Sequence, residues 1–325
     1  MATESLLVRL VALLIVSPGL CACEAGQRPA ARPAAAKTCN PTISALPLLG
    51  RPGDSPLLPI TVAGADAAIF FSPGFGPTML RDNGSLRFPR EETTQIVEPD
   101  GNAVDVDRSY LRGVKIGALP IEDRRAFRQW DPTDATVDGR PIVGILGRGA
   151  LPANAIITLD LPKETVQVAV PCDDTPPDPN APGIPMGSEV LAVPVEIEGV
   201  PTEAVLDPDL PISIMPRALA RKIGITDKAL ADDPPVLTLF SAVSLGRRHR
   251  VKRFDIGDVE VRNMPFDIEE KARVPLIGLN FFSFGRSTFN FQNGRFLFQP
   301  TIETVTPPTK LHFDRTRLAH VSVGE

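Results

Sequence analysis

The chain has 325 residues, with 34 basic and 39 acidic side chains, a formal charge of −5 and four cysteines. That mild acidity argues against a nucleic-acid partner, while a hydrophobic content of 43% is enough for real cores. Short apolar runs broken by 25 glycines, 35 prolines and frequent Asp, with no long helical pattern, predict an all-β chain.

Residues 1–22 are expected to be a secretory signal, with Arg9 in a short leader and an apolar run over 10–16 too short to span a bilayer. Leu20-Cys21-Ala22-Cys23 resembles a bacterial lipobox, which makes Cys23 the expected lipid acceptor; an ordinary signal cleaved after Ala22 is the alternative. Either reading places the protein outside the cytoplasm, and the first places it on a bacterial cell envelope. Positions 23–38, mostly Ala, Pro, Arg and Gly, have almost nothing to bury and are expected to form a tether. Cys39 and Cys172 bracket the next segment and can pair in an oxidising compartment, two free thiols being the alternative. No Cys or His spacing suggests a metal site, and no cofactor is expected. The glycine-rich stretch 144–149 has no helix pattern after it, so it reads as a strand turn beside the site and not as a phosphate cradle.

Residues 39–172 form the expected first lobe, 173–188 a Pro-rich linker, 189–300 a second lobe and 301–325 a tail. The division rests on a repeat. Leu58-Pro59-Ile60-Thr61-Val62-Ala63-Gly64 reappears as Val193-Pro194-Val195-Glu196-Ile197-Glu198-Gly199. The second copy alternates apolar and acidic residues as a half-buried strand does. Gly199-Val200-Pro201 is then expected to turn the chain into a buried strand, Ala204-Val205-Leu206, that ends on Asp207-Pro208-Asp209. Its counterpart is Ile69-Phe70-Phe71 followed by Ser72-Pro73-Gly74. Later, 114–117 answers 254–257, Ile142-Val143-Gly144 answers Leu276-Ile277-Gly278, and 158–161 answers 288–291. Such an order, kept twice, predicts a duplicated domain with two like lobes facing each other. The one clear helix is expected over 216–222, with Leu219 and Ile223 on one face and Gly224 ending it.

A strand hairpin ending on an acid, then a helix, an apolar-apolar-Gly strand and a closing hairpin, resembles the retropepsin-like and pepsin-like aspartic peptidases over 46–300. The resemblance implies two tandem retropepsin-like β-barrel lobes of the acid protease fold around a central cleft, with one carboxylate from each lobe at a pseudo-twofold axis. The two share one proton, because like charges about 3 Å apart cannot both ionise. One is base for a water, and the other donates to the scissile carbonyl. The family motif is Asp-Thr-Gly, and here Ser72 stands in the place of the first acid. Pro73 and Pro208 stand where the threonines belong, and Asp209 where the second glycine belongs, so that only Asp207 and Gly74 match. A serine hydroxyl can hold a water but cannot share a proton in this way, and proline offers neither hydroxyl nor N–H. The resemblance therefore implies a peptidase fold without the peptidase dyad, with Asp207 as a surviving acid or an anchor. An extended peptide or protein segment is the expected partner, added along the cleft as a strand. An active endopeptidase pairing Asp207 with a non-standard partner, or across a homodimer, is one alternative; a structural envelope module is another.

The dense basic run Arg247-Arg248-His249-Arg250-Val251-Lys252-Arg253 is expected at a solvated hairpin tip, a positive rim for acidic peptides or anionic headgroups being the alternative. His249, His312 and His320 fall late and none sits beside a serine in a triad-like arrangement. The seven phenylalanines between 281 and 298 are expected in the core, since Phe289 and Phe291, like Phe296 and Phe298, keep the spacing of one strand face.

Overall fold

The computed structural model describes residues 42–74, 76–97, 103–121, 124–128, 133–172, 176–187, 190–237 and 245–301. The chain divides into residues 1–39 and 40–325, and every described residue lies in the second unit. The expected signal, the tether, Cys23, Cys39, His312, His320 and the tail beyond Thr301 lie outside the described residues.

The first lobe runs through β1 (Thr42–Pro47), β2 (Leu57–Val62), β3 (Ala65–Ser72) and the short β4 (Met79–Leu80). It continues with the hairpin β5 (Glu92–Val97) and β6 (Ala103–Leu111), then β7 (Val114–Ile116), β8 (Leu119–Pro120) and β9 (Arg124–Arg128). β10 (Thr136–Val137), β11 (Arg140–Gly147), β12 (Ile156–Asp160) and β13 (Thr165–Val170) complete it. The second lobe has β14 (Ile184–Pro185), β15 (Ala192–Ile197), β16 (Val200–Leu206) and β17 (Ser213–Pro216). Helices α1 (Arg217–Lys222) and α2 (Asp227–Ala231) follow, then β18 (Pro235–Leu237), β19 (Leu245–Ile256), β20 (Val259–Glu269) and β21 (Leu276–Ile277). The lobe closes with α3 (Leu279–Phe282), β22 (Gly285–Asn290) and β23 (Arg295–Pro300). The fold is all-β and two-lobed.

The same turn starts both lobes. Ala63 and Gly64, at φ 50° and 86°, join β2 to β3, and Glu198 and Gly199, at φ 49° and 78°, join β15 to β16. Two successive left-handed residues match the twist of the flanking strands, and glycine takes the second place at no steric cost. The turn is thus one residue earlier than the sequence suggests, and Pro201 lies inside β16 opposite Glu196. It is tolerated there because β21, on the other flank of β16, pairs only with Val205 and Leu206.

In each lobe the buried strand that follows is held between its hairpin partner and a parallel strand: β3 between β2 and β11, β16 between β15 and β21. Flanked on both sides, these strands read as continuous apolar runs, and Ile69, Phe71, Ala204 and Leu206 are fully buried. The lobes share a six-stranded sheet in the order β1-β13-β12-β22-β23-β14. Its middle pair places Thr158 opposite Thr288, hydroxyl to hydroxyl at 3.4 Å, so the pseudo-twofold axis passes between them. β14 falls inside the stretch expected to be linker. Ile184 pairs with Phe296 and Pro185 with Arg295, as Leu46 and Pro47 of β1 pair with Val166 and Thr165. Proline at the outer edge costs no ladder hydrogen bond.

Six of the seven phenylalanines pack as expected, and Phe71 of the first lobe meets Phe289 of the second edge-to-face at 6.3 Å. Each fully buried ring contributes about 1.5–3 kcal/mol. Phe291 is partly buried and lies instead under the Arg148 guanidinium. Pro216 ends β17 and immediately precedes α1, which therefore starts one residue later than expected, and Gly224, at φ 89°, follows its end. The sequence reading missed α2 and α3, each five residues or fewer.

Candidate functional site

The ends of β3 and β16 meet at the axis. Ser72 Oγ donates to Asp207 Oδ1 at 2.5 Å, with Ser72 fully buried and Asp207 5% exposed. Backbone bonds fix the acid: its N–H donates to Ile277 O at 2.9 Å, and its carbonyl accepts from Leu210 N at 3.1 Å. Gly74 explains how the lobes come so close. A Cβ there would stand 2.0 Å from the Leu206 carbonyl oxygen, so only glycine lets the two turns touch. Pro73 and Pro208 are buried, and neither can offer the hydroxyl that a threonine would extend to the other lobe. A different bond crosses instead: Ser55 Oγ donates to the Asp209 carbonyl at 2.7 Å, and the Asp209 side chain is fully buried.

Hydroxyls six residues beyond each motif brace the site, and the sequence reading missed them. Thr78 Oγ1 accepts from Gly147 N at 3.0 Å, and Ser213 Oγ accepts from Gly278 N at 2.9 Å. Ser213 donates in turn to Asn280 Oδ1 at 2.8 Å, while Asn280 Nδ2 donates to Pro265 O at 3.0 Å. Thr78 and Ser213 stand at the same distance beyond Ser72 and Asp207, which is the signal that could have found them.

One landmark is corrected. Leu146 and Gly147 pair with Phe71 and Ser72, as Leu276 and Ile277 pair with Val205 and Leu206 on the way to Asp207. The counterpart of Leu276-Ile277-Gly278 is therefore Ile145-Leu146-Gly147, not Ile142-Val143-Gly144. A bulge between Ile142 and Ile145 inserts the extra residues. Gly144 serves it at φ 140°, where a Cβ would meet Met79 O at 2.0 Å.

The remaining sequence candidates lie apart from this pair. The basic run lies within β19 and not at a hairpin tip. Arg248 binds Asp267 through Nε and Nη2 at 2.7 and 2.8 Å, and His249 Nδ1 lies 2.6 Å from Asp233 Oδ2. Arg250 donates to Asn263 O at 2.7 Å, and Lys252 N donates to Glu198. Burial pushes the Asp267 carboxyl up, against the pull of Arg248. In the first lobe, burial also works to raise Asp82, but Arg128 at 2.6 Å, the Phe88 N–H at 2.9 Å and the Arg87 charge together hold it below the usual range. Cys172 is disulfide-bonded, and its expected partner Cys39 lies outside the described residues. Among the described residues no cluster of three or more His, Cys, Asp or Glu could hold a metal ion, and no helix is long and apolar enough to cross a membrane.

Chemically, the pair can hold a water or take a hydrogen bond from a backbone amide. Ser72 donates a hydrogen bond to Asp207 and keeps its proton, because a hydroxyl does not ionise in the range where a carboxyl trades protons. Ser72 thus puts a hydroxyl where two-carboxyl chemistry has the partner that protonates a carbonyl while the other acid activates water.

Residues 193–281 match the family model described as aspartyl protease, which covers β15 to the middle of α3. No curated protein matches the chain. Among solved structures, an aspartic proteinase from Irpex lacteus aligns with 82% of this chain and 100% of its own, at 13% identity and a TM-score of 0.49.

Proposed function

We propose that this chain, an aspartic-peptidase-like protein of the pepsin and retropepsin type, is a pseudopeptidase that binds an extended peptide or protein segment in its cleft without cutting it. The observation that carries the reading is the 2.5 Å hydrogen bond from Ser72 to Asp207, which fills the dyad's place with one acid in place of two. Binding survives such a change because an extended peptide gains affinity from backbone hydrogen bonds and side-chain pockets. Hydrolysis does not, since it needs both proton transfers and loses orders of magnitude without them. Ser72 and Asp207 together offer one donor-engaged carboxylate as an anchor for a passing amide.

The test incubates the purified chain with a diverse peptide library at acid and neutral pH. Peptides are expected to be retained intact, with Asp207→Asn weakening retention. Cleavage by the wild type that Asp207→Asn abolishes would overturn the reading in favour of a peptidase. We further infer that the protein works outside the cytoplasm, tethered to a bacterial envelope through a lipid on Cys23. The sequence Leu20-Cys21-Ala22-Cys23 supports this. The mature N-terminal peptide is expected to begin at Cys23 and carry the mass of acyl chains, whereas an unmodified start at that residue would rule the tether out.

A further inference from the structure

The sheet shared by the lobes ends on β1 at one side and on β14 at the other. The two ends are finished differently. β14 is two residues long and carries Pro185, and the edge strands β8 and β18 likewise hold two or three residues with a proline. Short strands and prolines keep an edge from pairing with another chain. β1 has six residues, Thr42 to Pro47, without a charge, and its proline stands at the last position.

Which backbone groups of β1 face outward follows from its register. Leu48 N donates to Glu164 O at 2.7 Å, in line with the pairs Leu46 to Val166 and Ser44 to Val168. In an antiparallel ladder alternate residues point their polar groups to opposite sides. Thr42, Ser44 and Leu46 therefore bond to β13, while Ile43 and Ala45 turn their N–H and C=O away from it. β1 is the last strand of the sheet, and among the described residues no strand lies beyond it. The side chains alternate as well. Ile43 is 56% exposed and Ala45 is exposed, whereas Ser44 is buried and its Oγ accepts from Ala118 N at 3.0 Å. Cross-strand pairing puts Ile156, Ala169 and Ile43 in one row on the outer face, and that row stops at the open edge.

We propose that β1 pairs with β1 of a second copy of this chain, antiparallel about a two-fold axis at Ser44, so that two six-stranded sheets join edge to edge. In that register Ile43 stands opposite Ala45 of the partner subunit, and Ala45 opposite the partner's Ile43. The strand is complementary to itself. The outward N–H and C=O groups of Ile43 and Ala45 on each copy satisfy one another in four hydrogen bonds, and on both sides of the axis a large exposed side chain meets a small one. Positions 41 and 47, the next of the same parity, are prolines, so no N–H is offered beyond either end. The row that stops at Ile43 then continues onto the second copy. Two strands of six residues bury less than the roughly 1,200 Å² of a standard interface, so the dimer is weak and forms at high concentration. Neither Ser72 nor Asp207 lies on β1, and the inference stands apart from the reading of the cleft.

The test follows sedimentation of the purified full chain from about 10 μM to about 1 mM, with amide hydrogen exchange measured at both ends of that range. A monomer–dimer equilibrium is expected. The Ile43 and Ala45 amides should exchange about tenfold more slowly at the high concentration, while the Ser44 amide is protected at both. Ile43→Lys, at an exposed position, is expected to leave the chain folded and hold it monomeric. Ala45→Pro removes one outward N–H, keeps the bonds to β13 and is expected to do the same; Ile43→Lys decides the matter if Ala45→Pro fails to fold. Three results would each overturn the proposal: a monomer throughout, a dimer with unchanged exchange at Ile43 and Ala45, or a dimer that survives Ile43→Lys.

Discussion

At Ser72 the side chain is one carbon and one oxygen shorter than an aspartate, yet its oxygen arrives 2.5 Å from Asp207 Oδ1 because Gly74 lets the turns close up. Lengthening it would place two carboxyls in contact. Ser72→Asp is therefore expected to make the pair share one proton, raising one folded-state pKa above its unfolded value. The sign follows from linkage. A carboxyl raised on folding keeps its proton in the native state, so stability is greatest below the ordinary carboxylate range of about 4 and falls as pH rises toward the raised value. Chemical melts of Ser72→Asp across that range are expected to show a loss of about 2–4 kcal/mol at neutral pH relative to acid pH, with the wild type lacking that extra slope. Equal slopes would mean that the new acid points away from the axis.

At the scale of elements, the hairpins carry one turn in two sequences, and the hydroxyl braces repeat in the same register. The hairpins were legible because alternation and the repeated glycine are local signals, although the sequence placed the turn one residue late, at Gly199-Val200-Pro201. The bulge before Ile145 was not. Gly144 and Gly147 both follow two aliphatic residues, and only strand pairing shows which glycine stands beside Ser72. The short helices α2 and α3 escaped because a stretch of five residues holds too little periodicity to read. Asn280 escaped because its two partners, Ser213 and Pro265, are distant in the chain. The meeting of the lobes makes a sharper prediction. Gly74→Ala puts a methyl against the Leu206 carbonyl and is expected to cost about 2–4 kcal/mol in urea melts. Gly76→Ala, with open space around it, is expected to stay within about 0.5 kcal/mol. Similar losses for the two would show that the turns are not in tight contact.

Over the whole molecule, the sequence disclosed two lobes but not the sheet they share. Period-two runs announce a strand, while the choice of neighbour is made by packing between segments far apart in the chain, as for Ile184 and Phe296. The basic run misled for the same reason. A cluster of like charges suggests a tip, yet the run lies along β19, with Arg250, Lys252 and Arg253 exposed while Arg248 and His249 are half-buried against Asp267 and Asp233 from other strands and loops.

The pairing of Thr158 with Thr288 has a mechanical consequence. The shared ladder and the packing across it hold the halves together independently of the covalent connection between Pro176 and Gly183. A protease that nicks this crossover should leave one particle, which elutes as the intact protein does and falls into two fragments only in denaturant, without reductant, since all four cysteines precede the nick. If the fragments part under native conditions, the middle of the sheet is weaker than its ladder implies.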